Sequence, residues 1–226
     1  MTPGQLHNEL LARFHADSGA ALDAEARVDV ALRVSNEILS AYGEPAVTRE
    51  QVIAWQELGR TLMREAMKEG PLAIADRLLE SEESRLWWRR FSARPLTDVA
   101  KEALRPEVHP VQLGTRCPLA TLEPVSRLAV ADMPEDPLLQ EFVDIAVHSA
   151  DYWSRRHQIS ATADSSEVSS EQRLTLGQKL FRHYCIATVD GVAGALVGVA
   201  SGPAGAVTGP IAGYLASEAG NWLAGW

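Results

Sequence analysis

The chain has 226 residues, 46 % of them apolar, and a formal net charge of −9. That length holds one large domain, or a main domain with an appendage, and the apolar share supplies an ordinary core. The acidic balance argues against a general nucleic-acid binder, and the wide separation of Cys117 and Cys185 leaves no disulfide framework or zinc spacing.

Taken in order, the hydrophobic spacing predicts helices. Residues 3–16 carry Leu6, Leu10, Leu11 and Phe14 on one face, and Asp17-Ser18-Gly19 ends the run. Residues 20–42 form a second helix, with Leu22, Val28, Ala31, Leu32, Val34, Ile38 and Leu39 on a broad apolar face and Gly43 and Pro45 stopping it. Thr48 opens a third, with Gln51 at capping-box spacing and a face of Val52, Trp55, Leu58, Leu62 and Ala66. Residues 71–92 are predicted as a fourth helix and 96–104 as a short fifth. The segment 105–133 holds several prolines and reads as a Pro-rich loop. Residues 135–158 give a further helix through Leu138, Phe142, Ile145, Ser149 and Trp153. The polar, serine-rich stretch 159–170 reads as a linker. Period-two alternation is nearly absent. The predicted fold class is all-α: a multi-helix bundle body over 1–158, the linker 159–170, and a C-terminal Gly/Ala-rich apolar helical hairpin over 171–226.

The opening MTPGQLHNELLARFH is charged throughout and lacks an apolar signal-peptide core, so cytoplasmic synthesis without a signal peptide is expected. Ala, Arg and Pro usage suggests a bacterial source. No phosphate-binding, dinucleotide, zinc-protease or Cys-x-x-Cys motif is present, so no catalytic residue, cofactor or metal is expected. An enzymatic reading would rest on His109 or His148 as a base. Glu141, Asp144, His148, Asp151 and Arg155 fall at steps of three and four, a pattern that reads as a solvated helix face. His7 and His15 stand eight apart with no third ligand nearby. Trp87, Trp88, Arg89 and Arg90 form a dense aromatic and basic cluster, a possible surface for a protein partner that is also compatible with core packing and a basic rim.

The tail, Cys185–Trp226, has no charged residue from Gly191 to Ser217, and no Lys or Arg follows Arg182. Glycines recur at four-residue steps as Gly194, Gly198, Gly202 and as Gly205, Gly209, Gly213. That spacing lines one helix face and lets another helix approach closely. In water each such glycine costs a helix roughly 1 kcal/mol relative to Ala, so the segment asks for a membrane, an oligomer or a tightly packed hairpin. Ser201-Gly202-Pro203-Ala204-Gly205 reads as a turn that divides it into two short helices, roughly 176–201 and 204–223, the second kinked or entered near Pro210. Arg182 and Tyr184 precede the apolar run, and Tyr214, Trp222 and Trp226 lie toward its far end, where interfacial residues of a membrane segment would stand.

On those glycines the tail resembles the glycine-zipper segments of membrane-active proteins, including bacteriocin-like hairpins and small pore or channel subunits. The resemblance covers about 40 residues and is one of packing class. It implies a membrane-associating protein, an effector or toxin-like protein or an anchored adaptor, with a membrane as partner and homo-oligomers forming through the tail. The alternative is a soluble all-α interaction module with the hairpin buried in its core.

Overall fold

The computed structural model describes residues 1–18, 23–103, 133–163 and 176–223, and every regular element among them is helical. The helices are α1 (Pro3–Ser18), α2 (Ala24–Ala41), α3 (Arg49–Glu69), α4 (Pro71–Leu78), α5 (Glu82–Ala103), α6 (Pro137–Ala163), α7 (Leu176–Ala200) and α8 (Gly205–Leu223). The all-α expectation holds. The Pro-rich loop up to residue 132, the linker from residue 164, His109, Cys117, and the Trp222 and Trp226 side chains lie outside the described set.

Local chemistry sets the helix ends. Asp23 caps α2 by accepting from the Ala26 amide at 2.8 Å. Thr48 and Gln51 form the expected reciprocal capping box at the start of α3. Gly70, at φ +93°, turns the chain between α3 and α4, and Pro71 sits in the first turn of α4 where its missing donor is harmless. Asp136 caps α6 through the amides of Leu138 and Leu139.

The helix predicted over 71–92 is two helices. The chain extends at Leu79, and Ser81 then caps a new start by accepting from the Ser84 amide at 3.0 Å. α5 continues through the gap expected at 93–95, so the short fifth helix is its C-terminal part. α6 runs five residues beyond the predicted end, into the stretch read as linker.

Helices α7 and α8 form an antiparallel hairpin that is the centre of the molecule. Four helices wrap it: α6 lies along α7, α3 along α8, α1 bridges α6 and α8, and α4 packs on α7. Of the faces predicted for α1 and α2, Leu6, Leu10, Leu11, Phe14, Ala31, Val34, Ile38 and Leu39 lie in the core, Val28 and Leu32 are half-buried against it, and Leu22 lies outside the described residues. Trp88, Trp153, Tyr214, Phe14 and Phe142 are the largest fully buried side chains, each stabilising the fold by about 2–3 kcal/mol on burial. The division into a body and an appended tail therefore does not describe the packing: the tail is the inner layer of the body's core.

Candidate functional site

The hairpin is the feature that any function must account for. Gly198 meets Gly205 and Gly194 meets Gly209 across it, with Asp190 opposite Gly213, so the pairs step evenly away from the turn. A Cβ on Gly209 would lie 2.9 Å from the Gly194 carbonyl oxygen, and one on Gly213 would lie 3.0 Å from that of Asp190. The other helices use the same absence of side chains. A Cβ on Gly191 would sit 2.6 Å from Phe142, and one on Gly59 of α3 would sit 2.7 Å from the Ala216 Cβ. Close packing thus occurs within one chain. Gly202 does not join it: at φ +59°, with open space around it, it makes the turn ahead of Pro203. Gly59 and Gly191, which the four-residue spacing leaves out, do.

Only two charged side chains follow Arg182, Asp190 and Glu218, and both are faced by histidines of α1. His7 Nε2 lies 3.6 Å from Asp190 Oδ2, with both side chains fully buried. His15 Nε2 lies 2.8 Å from Glu218 Oε1, and Arg27 donates to Glu218 Oε2 at 3.0 Å. The eight-residue spacing of the two histidines places both on the α1 face that covers the hairpin. Ser149 of α6 donates to Asp190, and Trp153 Nε1 donates to Ser217 Oγ at 2.7 Å. Burial pushes the Asp190 carboxyl up, against the opposing pull of His7, Ser149 and Ser217. The residue types of this network suit acid–base chemistry, but the arrangement does not. The Ser149 hydroxyl is spent on the carboxylate rather than the imidazole, and Ser149, His7 and Asp190 are sealed from solvent.

Glu141 of α6 reaches the hairpin near its turn. Its carboxyl fills the space left by Gly198 and Gly209, so a Cβ on either would collide with it. Burial, then the neighbouring Asp144 charge, pushes Glu141 up to about 7. The row from Glu141 to Asp151 is half-buried rather than a fully solvated face, with the Asp144 and His148 side chains 29 % and 31 % exposed, and the Arg155 side chain lies outside the described set. Asp144 Oδ2 accepts from the Gly4 amide at 2.7 Å and His148 abuts Gly4, because the first turn of α1 roofs this part of α6. No group of three or more His, Cys, Asp and Glu residues is placed to hold a metal among the described residues.

The remaining predicted residues redistribute. Tyr184 and Tyr214 are buried, and Tyr214 bonds to Ser35 at 2.9 Å and to the Ala31 carbonyl at 3.0 Å, so neither stands at a boundary in this fold. Arg182 is half-buried near the start of the apolar part of α7. Trp87 and Trp88 both enter the core. Trp87 stacks on Phe91 at 4.8 Å and Trp88 meets Phe142 edge-on at 4.5 Å. The surface left by this cluster is Arg89 and Arg90, and Arg89 is paired with Asp76. Burial pushes the Cys185 thiol up to about 12, the behaviour of a small core residue.

Beside the hairpin's base is a cleft of about 270 Å³ lined by Phe14, Arg27, Gln56, Arg60, Glu218 and Ala219 among others. Its cations are engaged within the chain, Arg27 by Glu218 and Arg60 by Glu57. At the other end, the hairpin's turn comes to the surface. Leu196 is 41 % and Val199 55 % exposed, and Ala200, Gly202, Pro203 and Ala206 are exposed beside them. The stretch Arg182–Ala200 is long and apolar enough to cross a membrane, and 78 % of it lies buried inside the bundle.

No profile of a known protein family, no curated protein and no solved structure matches this chain. The class that the geometry defines is an all-α bundle built around an apolar, glycine-paired hairpin.

Proposed function

We propose that this protein is a membrane-associating helical bundle that shelters its apolar hairpin in water and gives it up to a bilayer. The observation that carries the reading is the place of the hairpin: uncharged from Gly191 to Ser217, central in the fold, and, among the residues whose burial is described, exposed at its turn. In water the hairpin's apolar surface is satisfied by α1, α3, α4 and α6. In a bilayer those helices would be replaced by lipid, and the glycine pairing between α7 and α8 would persist because it needs no outside partner. The role is that of a membrane-perturbing effector or an anchored adaptor, and the turn end would enter first.

The glycine packing also favours a second reading, a soluble interaction module whose hairpin never leaves the core. Hydrogen exchange read by mass spectrometry, with and without phosphatidylcholine vesicles, separates the two. Under the first reading vesicles speed exchange in α1 while α7 and α8 stay protected. Unchanged exchange in α1 sinks it and leaves the module.

A further inference from the structure

The turn of the hairpin is more than the place where two helices meet. Leu196 and Val199 are large apolar side chains open to solvent, where most of the others described are buried. The sequence on either side of them, Gly191 to Ser217, carries no charge, and the Glu141 carboxyl of α6 lies against Gly198 and Gly209. The hydroxyls near the turn are turned inward: Ser201 Oγ donates to the Val197 carbonyl at 2.7 Å and Thr208 Oγ1 to that of Ala204 at 3.2 Å. The Ser201 amide is also used, donating to the Val197 carbonyl at 2.9 Å. Pro203 and Pro210 have no backbone donor to satisfy. A surface meant for a protein partner commonly offers hydrogen-bonding groups at its rim. This one keeps its hydroxyls on its own backbone, the condition that hydrocarbon imposes on any chain entering it.

We infer that the turn formed by Leu196, Val199, Ala200, Pro203 and Ala206 is a lipid-docking surface that works in the folded bundle, before any helix is displaced. The proposal rests on the membrane reading above but needs no release of the hairpin. The occupant is the apolar layer of a neutral bilayer. The chain's net charge of −9, with Glu141 and Asp144 on the helix beside the turn, disfavours an anionic one. Docking places Leu196 and Val199 among acyl chains and leaves the bundle in water.

The test holds the hairpin in place and asks what the turn touches. A Cβ on Gly220 would lie 3.7 Å from the Met63 Cβ, close to the separation of a disulfide. The double substitution Met63→Cys and Gly220→Cys, with Cys117→Ser and Cys185→Ala, therefore ties α8 to α3. A photo-crosslinking amino acid at Val199 in this oxidised full chain, mixed with phosphatidylcholine vesicles, is expected to yield lipid adducts. Leu196→Asp is expected to reduce them about tenfold, with circular dichroism unchanged because Leu196 is exposed. Adducts to a second copy of the chain, or to residues 105–132, would overturn the proposal, as would lipid adducts indifferent to Leu196→Asp. If adducts form only after reduction, docking requires release: this inference fails while the membrane reading stands. If they form equally in both states and α1 exchange never changes, the inference stands and release fails.

Discussion

Glu141→Gln isolates the cost of a carboxyl wedged against the hairpin glycines. Glu141 in the fold titrates at about 7, against 4.5 for the ordinary group, chiefly because it is buried and next because Asp144 is near. A pKa raised on folding means that the folded state binds the proton more tightly. The stabilising contribution is therefore complete below about pH 4.5 and is lost as the pH rises through about 7. At full value that displacement corresponds to about 3 kcal/mol. Glu141 is only part-buried, and solvent screening reduces the figure to about 1–2 kcal/mol. Glutamine has nearly the same shape and no charge. Urea unfolding from pH 4.5 to 8.5 should therefore find the two proteins matched near pH 4.5, and the variant more stable by about 1–2 kcal/mol at pH 8.5. Asp190 imposes a trend of the same sign on both proteins and cancels in the difference. Parallel stability curves, with no divergence above pH 6, would refute the placement of the Glu141 carboxyl between Gly198 and Gly209.

Two glycines in the same packing layer should respond oppositely to one methyl group. Gly59→Ala forces a Cβ to 2.7 Å from that of Ala216 and should cost about 1–3 kcal/mol in thermal or urea unfolding, whereas Gly220→Ala meets Met63 at an ordinary 3.6 Å and should gain up to about 1 kcal/mol of helix propensity. Ser217→Ala removes the acceptor of the buried Trp153 indole and should destabilise the fold by about 1–3 kcal/mol, read by the same unfolding curves.

Much of the architecture was legible because it follows from period and punctuation. The apolar spacing of α1 and α2, the Thr48/Gln51 box, and the break between the tail helices at Ser201–Ala204 all report local chemistry. The break at Leu79–Ser81 was missed although its signal is local, a serine followed by two glutamates at a helix start. What could not be read was which surface the hairpin covers. Glycines at four-residue steps specify close approach and not the identity of the helix that approaches, so membrane, oligomer and intramolecular packing share one pattern. The histidines of α1 are the clearest case. Their eight-residue spacing puts them on one face, but only the packing of α1 across the hairpin brings them to Asp190 and Glu218. Likewise the spacing of Glu141, Asp144 and His148 fits a solvated face equally well, and it is the first turn of α1 that covers it.

The claim that the hairpin leaves the bundle is tested most directly by the disulfide that ties Met63→Cys to Gly220→Cys. Full-length protein with this pair is mixed with dye-loaded phosphatidylcholine vesicles, oxidised and then reduced, and both dye release and resistance of the bound protein to carbonate extraction are measured. Release of the hairpin predicts neither effect while the disulfide is closed, and both on reduction. Equal dye release and equal carbonate resistance in the two states would contradict it, as would the absence of both after reduction, and the hairpin would then be a permanent core.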